Sequence, residues 1–261
     1  MKILVCVKQV PDTTEVKMDK EKGTLIREGV PSILNPDDAN ALEEALKMKD
    51  KYSNVTVTVI TMGPPQADDM LRECLAMGAD EAFLLSDIAF GGADTWATSN
   101  TIVAGIKKIG HFDIVFAGRQ AIDGDTAQVG PQISEKLNIP QVTYVQKFEI
   151  NGNEVKVQRQ LEDGYEIIKV NTPVLLTVVK ELNEPRYMAV DKIINAYKKE
   201  IKILTIKDID NDANQVGIKA SPTKVFKSFI PEPKGKGIML VGTSKKVVDQ
   251  LVVALKQKHI I

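Results

Sequence analysis

With 261 residues, 34 lysines and arginines against 35 aspartates and glutamates, and a net charge of −1, the chain carries no global field to draw in a nucleic acid or an anionic membrane. Any phosphate must be held by a local device. A hydrophobic content of 43% suffices for one sizeable core, so the length reads as one main domain with appendages.

The chain opens on KILVCVKQV, a strand pattern over Ile3–Val10. It is too short to cross a bilayer and lacks a small-residue cleavage site, which predicts a cytoplasmic protein without a signal peptide. Cys6 and Cys74 fall in apolar stretches with no CxxC spacing, which excludes a standard zinc site, argues against a structural disulfide and predicts buried thiols. NPDDANALEEALKMK announces the first helix. Asn35 can cap it, Pro36 suits the first helical position, and Asp37 and Asp38 favour the positive end of the dipole. Leu42, Ala45, Leu46 and Lys49 then share one face.

Further strand patterns follow at Val55–Met62, Glu81–Ser86 and Asp113–Gly118. A helix after MGPPQADD turns Leu71, Cys74 and Leu75 inward, and another after GGADTWATS turns Ile102, Val103, Ile106 and Ile109 inward. This alternation predicts an α/β fold, a mostly parallel sheet with helices on both faces. Ligands collect at the carboxyl ends of such strands, so the candidate loops follow Val10, Met62, Ser86 and Gly118. Past Pro140 the texture becomes alternating, with NGN and EDG marking two hairpin turns between antiparallel strands. TPVLLTVV returns as a central strand. From Lys198 to Gly237 periodicity is weak and predicts an extended arm, followed by a helix over Ser244–Lys258 with Val247, Leu251, Val252 and Leu255 on one face. The division is 1–197 for the nucleotide-binding domain and 198–261 for the arm and helix.

The loop in FAGRQAIDGDTAQVGPQ lacks both a Walker lysine and GxGxxG spacing. Its N–H groups between Asp123 and Gly130, with the side chains of Thr126 and Gln128, are available to donate to a phosphate. Asp123 and Asp125 then have to point away, cap a helix or accept from a ribose hydroxyl. If the helix begins at Asp125, Pro131 lies inside it; if it begins at Gly130, the preceding residues form a loop able to wrap an anion. Taken alone, the pattern is better accounted for by a strand followed by a capped helix. In FGGADTWATS, Asp94, Thr95, Thr98 and Ser99 supply acceptors and hydroxyls at a helix N-terminus suited to a pyrophosphate, or Asp94 and Thr95 merely cap the helix. Trp96 reads as packing rather than flavin stacking, and His111 and His259 as surface residues. No Ser/His/Asp or paired-carboxylate pattern supports a nucleophilic or metal mechanism.

Four stretches in order, NPDDANALEEALKMK, TMGPPQADDMLRECLAMGAD, FAGRQAIDGDTAQVGPQ and LNEPRYMAVDKIINAYKK, resemble the β subunit of electron-transfer flavoproteins. VQRQLEDGYEIIKVNTPVLLTVV resembles that subunit's signature region, and the similarity covers essentially the whole chain. The resemblance implies a fold related to the adenine-nucleotide hydrolase-like superfamily and a heterodimer with an α subunit that carries FAD. It implies a nucleotide in the β subunit, either AMP, with a role in assembly and dehydrogenase docking, or a second FAD in the electron-bifurcating group, to which the DTxATS pattern is similar. In that group NADH is the transient electron donor, and electrons pass to the α-subunit FAD, toward an acyl-CoA dehydrogenase, and to ferredoxin or flavodoxin. No side chain is implied as a catalytic acid or base.

The nucleotide contacts that the resemblance implies are Cys6, Asn35, Pro36, Asp37, Asp38, Met62 and Gly63, with Asp94, Thr95 and Thr98. They continue through the loop of Gly118, Arg119, Gln120, Ala121, Ile122, Asp123, Gly124, Asp125, Thr126, Ala127, Gln128 and Val129. Tyr187, Met188 and Val190 match the family's partner-docking stretch, and the arm from Lys198 onward is expected to pack on the α subunit. A stand-alone nucleotide sensor of the universal-stress type is the more distant reading, opposed by the docking stretch and the arm.

Overall fold

The structure, a computed structural model, describes residues 1–12, 31–209, 212–226 and 235–261. The parts of the expected arm at 210–211 and 227–234 lie outside the described residues. In chain order the elements begin β1 (Lys2–Cys6), β2 (Gln9–Pro11), β3 (Ser32–Leu34), α1 (Pro36–Lys51), β4 (Thr56–Met62), α2 (Ala67–Met77) and β5 (Glu81–Leu85). They continue with α3 (Thr95–Ile109), β6 (Ile114–Gly118), α4 (Val129–Leu137), β7 (Gln141–Asn151), β8 (Glu154–Gln160), β9 (Tyr165–Asn171) and β10 (Val174–Val178). α5 (Val190–Ala196), β11 (Ile201–Leu204), α6 (Gly217–Ala220) and α7 (Ser244–Gln257) complete the chain.

A nine-stranded sheet has the order β11-β5-β4-β1-β6-β10-β7-β8-β9. Its strands are parallel from β11 to β7, and β8 and β9 extend it antiparallel. The apolar runs alternate between two cores because a buried strand sends successive side chains to opposite faces. Ile3, Val5 and Val7 join Leu42, Leu46, Leu71 and Cys74 on one face, whereas Leu4 and Cys6 join Ile102, Ile106 and Ile133 on the other. Helices therefore cover both faces, and the α/β fold is as expected. Both cysteines are free and buried. Among the described residues no helix is long and apolar enough to cross a membrane.

The expected strand Ile3–Val10 is broken. β1 ends at Cys6, and Gln9–Pro11 pairs instead with Ser32–Leu34 in a separate two-stranded ribbon. The chain leaves the sheet because the Lys8 N–H is taken by the Asp38 carboxylate at 2.9 Å. Lys49, expected on the buried face of α1, is half-buried and ties Gly78 O at 3.0 Å and Asp80 at 2.5 Å. The NGN turn carries Gly152 at φ 59°, and TPVLLTVV forms β10 between β6 and β7.

The first compact unit runs from Met1 to Val225 and the second from Phe226 to Ile261. Strand β11 pairs with β5 in parallel, so the sheet takes in residues past the 197/198 division expected from periodicity. In the second unit α7 buries none of its own residues, and Ile238, Met239 and Val241 are exposed.

From β1 the chain steps outward through β4 and β5, then crosses back to lay β6 on the opposite side of β1. The β1/β6 boundary is thus the topological switch point, where strand-end loops part and leave a crevice.

Candidate functional site

The N-terminus of α1 closes the base of this crevice. Asn35 occupies the N-cap position but makes no side-chain cap bond. Its Nδ2 donates to Gln120 O at 2.9 Å, and its Oδ1 accepts from Ile122 N at 3.1 Å. A fully buried amide thus clasps the loop that follows β6. Three residues on, the Asp38 carboxylate accepts from Lys8 N and from Gly118 N, each at 2.9 Å, tying together the ends of β1 and β6. Burial pushes this carboxyl up to about 7, against the pull of the Gly118, Asn35 and Lys8 bonds. Burial, aided by the charge of Asp38, pushes the Cys6 thiol up to about 12, so Cys6 is a compact neutral group and no nucleophile. Asp37 faces Arg119 Nε at 3.6 Å. Burial raises the Asp37 carboxyl, and Arg119 opposes the shift.

The loop itself starts with Arg119 N on Val178 O at 2.8 Å. Its acids turn to local partners: Lys8 Nζ donates to Asp123 at 2.6 Å, and Gln120 Nε2 to Asp125 at 2.8 Å. Asp125 and Ala127 take left-handed φ values of 47° and 52°, and Gln128 follows at φ −110°, ψ −30°. Such alternation of hand makes a concave nest of N–H groups. The amides of Thr126, Ala127 and Gln128 find no acceptor among the described residues. Helix α4 begins at Val129 with no side-chain cap, so Pro131 falls in the first turn, where its missing N–H has no intrahelical partner to lose. An uncapped helix head beside three free amides is a donor set that fits a phosphate.

Asp94 caps α3, accepting from Ala97 N at 3.0 Å, while its other oxygen accepts from Thr223 N at 3.0 Å and Oγ1 at 2.7 Å. Burial works to raise its carboxyl, but the Ala97 and Thr223 bonds outweigh it and hold the group below the ordinary aspartate range. Thr95 Oγ1 donates to Gln128 Oε1 at 3.0 Å and accepts from Gln132 Nε2 at 3.3 Å, joining the heads of α3 and α4. Thr98 is half-buried one turn along the same helix. Met62, also half-buried, ends β4, and Gly63 N bonds Leu85 O at 3.1 Å. Trp96 is half exposed with Lys136 Nζ 3.8 Å from its ring centre. His111 lies at the surface, 3.7 Å from Asp113.

Residues 22–209 match the family model of the electron transfer flavoprotein domain. The chain belongs to the electron transfer flavoprotein family. It is 62% identical over 262 residues to the caffeyl-CoA reductase-Etf complex subunit CarD of Acetobacterium woodii, covering 100% of both chains. It is also 62% identical over 261 residues to the electron transfer flavoprotein subunit beta of Clostridium acetobutylicum, again covering 100% of both. The acryloyl-CoA reductase electron transfer subunit gamma of Anaerotignum propionicum is 50% identical over 268 residues, with 100% of both covered. The chain is an electron transfer flavoprotein β-type subunit.

In this flavoprotein subunit the stretch Tyr187, Met188 and Val190 lies apart from the crevice residues in sequence and is exposed, Tyr187 to 99% and Val190 to 74%. The crevice brings together Cys6, Asn35 to Asp38 and the loop 118–129, and Thr95 joins them through Gln128. Sequence reasoning missed two contributors. Lys8 supplies both a backbone N–H to Asp38 and an ammonium to Asp123, and a cation directly behind the first apolar strand was the signal for it. Gln132 bonds Thr95 from the second turn of α4, a link that no local pattern announces.

Proposed function

We propose that this chain is the β subunit of a heterodimeric, electron-bifurcating flavoprotein of the cytoplasm. It holds FAD in the β1/β6 crevice, takes electrons from NADH, and divides them between the α-subunit FAD, toward an acyl-CoA dehydrogenase, and ferredoxin or flavodoxin. The observation that carries this reading is the uncapped head of α4 with the free amides of Thr126, Ala127 and Gln128 beside it, stitched through Thr95 to a second helix head. Asp94 already occupies the head of α3, so the loop amides and the α4 head suit one phosphate and the Thr95 and Thr98 hydroxyls on α3 are the donors for a second. Full-length identity of 62% to a subunit of a caffeyl-CoA reductase-Etf complex supports the same class of partner.

Bound FAD would supply the conversion of a two-electron delivery into one-electron departures. The residues of this chain bind and orient: the loop amides hold phosphate, Asn35 and Asp38 fix the loop on α1, and Cys6 admits close approach at the strand end. The exposed Tyr187, Met188 and Val190 dock the dehydrogenase, an apolar anchor in a polar rim. The arm up to Val216 is committed to this chain's own core through Ile201, Ile209 and Val216, so it is the exposed Ile238, Met239, Val241, Val248, Leu251 and Val253 of the second unit that pack on the α subunit.

One observation favours a second reading, AMP at the same place with a docking role alone. The Asp94 carboxylate already fills the head of α3, which leaves one helix head open to an anion. Replacing Thr95 and Thr98 together by leucine separates the two. With FAD held by the α4 head and the α3 threonines, NADH-driven reduction falls roughly a hundredfold, the scale of a misplaced reactant, while the α-subunit flavin is retained. Unchanged reduction by NADH contradicts the bifurcating reading.

A further inference from the structure

Two acids sit buried in the middle of α1 with no part in the nucleotide crevice: Glu43 is 4% exposed and Glu44 is 9% exposed. Buried carboxylates are retained only when paired. Apart from Lys47, 3.9 Å from Glu44 on the same helix, their partners come from the stretch just before the docking residues. Arg186 gives Glu43 its main-chain N–H at 3.1 Å, its Nε at 2.8 Å and its Nη2 at 3.0 Å, and it reaches Asp50 at 2.7 Å. Asn183 donates to Glu44 at 2.9 Å and to Asn40 O at 3.1 Å, while Asn40 Nδ2 returns a bond to Asn183 O at 2.7 Å.

The far end of the stretch is held the same way from α2. Arg72 Nη1 donates to Ala196 O at 2.9 Å, the last carbonyl of α5, and to Lys199 O at 2.8 Å three residues beyond it. Asp68 holds the arginine at 3.0 Å, and the Tyr197 ring lies 5.5 Å from the guanidinium. Between these two points α5 lies against α2, but its side chains bury little. α5 is seven residues long, has no side-chain cap and buries only Ala196. A helix of that length is unstable by itself in water.

We infer that Arg186 and Arg72 are positioning residues for partner docking, clamping the segment from Tyr187 to Tyr197 in its binding shape before the partner arrives. The inference rests on the docking reading above. An exposed segment that is ordered in advance loses less conformational freedom on binding, so the clamps act on affinity and leave electron transfer within the docked complex alone. Arginine is required at the first clamp, because only a planar fork spans Glu43 and still reaches Asp50. At the second clamp the acceptors are two carbonyls, which a lysine ammonium can also serve.

The test uses the complete heterodimer with a purified acyl-CoA dehydrogenase as the probe. Arg186→Gln and Arg72→Gln each raise the KM for the dehydrogenase about tenfold while kcat stays within about twofold. Amides of residues 189–197 exchange faster with deuterium in both variants, and those of β1, β4 and β6 keep their protection, which establishes that the fold is intact. Arg72→Lys recovers most of the parent KM, whereas Arg186→Lys does not. If both glutamine variants keep the parent KM and exchange while Val190→Asp raises KM, the docking reading stands and the clamp is overturned. If Val190→Asp leaves KM unchanged, the docking reading falls and this inference falls with it.

Discussion

Gly118→Ala is expected to cost the protein about 3 kcal/mol or more of stability and, on the proposed function, the nucleotide held in the β1/β6 crevice. A Cβ at this position would lie 2.7 Å from Asp37 Cβ and 2.8 Å from the Asp37 carbonyl carbon, and would overlap Asp38 Oδ1. None of these atoms can yield cheaply. The first belongs to the opening turn of α1, the second is backbone, and the Asp38 oxygen is the acceptor of the Gly118 N–H itself. Moving Asp38 aside strands the amides of Gly118 and Lys8 in a buried place, where each unsatisfied donor costs about 1–3 kcal/mol. The urea midpoint of unfolding and the nucleotide released on denaturation measure both effects. Gly164→Ala, in the β8–β9 turn with nothing within 4 Å of the added carbon, serves as the control and shifts stability by no more than about 0.5 kcal/mol.

Asp38→Asn is expected to flatten the dependence of stability on pH between about 4 and 7. In the folded protein burial pushes the Asp38 carboxyl up to about 7, whereas in the unfolded chain it titrates near ~3.9. Between those values the folded state binds more protons than the unfolded state, so this group's contribution is full below the unfolded value. It is lost as pH rises through 7. The slope approaches about 1.4 kcal/mol per pH unit, for a total of order 2–4 kcal/mol. Asp37, Glu44 and Glu73 are also raised by burial, while Asp87 and Asp94 are lowered, so the total profile mixes opposite slopes. The difference between parent and variant isolates Asp38. Chemical unfolding at pH 5.5 and pH 8 measures it: the stability gained by the parent on going to the lower pH should shrink in Asp38→Asn by roughly 2 kcal/mol.

The large features were legible because they rest on periodicity. Four of the parallel strands, the helices between them, both hairpin turns and the β10 run follow from alternation, caps and apolar runs, which local sequence encodes. What escaped was side-chain commitment across long separations. Asn35 has the composition of an N-cap and the position of one, yet its amide goes to Gln120 and Ile122, because a buried clasp between loop and helix outcompetes a bond to its own helix. Lys8 continues an apolar strand pattern, and only the carboxylate of Asp38, thirty residues on, ends the strand there. β11 hides in a polar, weakly periodic stretch since an edge strand buries only part of its surface: Lys202 is exposed and Ile203 is 58% exposed. The loop 118–128 was visible as a candidate, but its left-handed residues, Asp125 and Ala127, are not glycines and gave no local sign of the nest they build.

The β-site nucleotide decides the central claim. The purified heterodimer, denatured and its released cofactors separated and quantified against protein, should give two FAD for each αβ pair and no stoichiometric AMP. One FAD and one AMP per pair would contradict the bifurcating account and leave a docking subunit with a structural nucleotide.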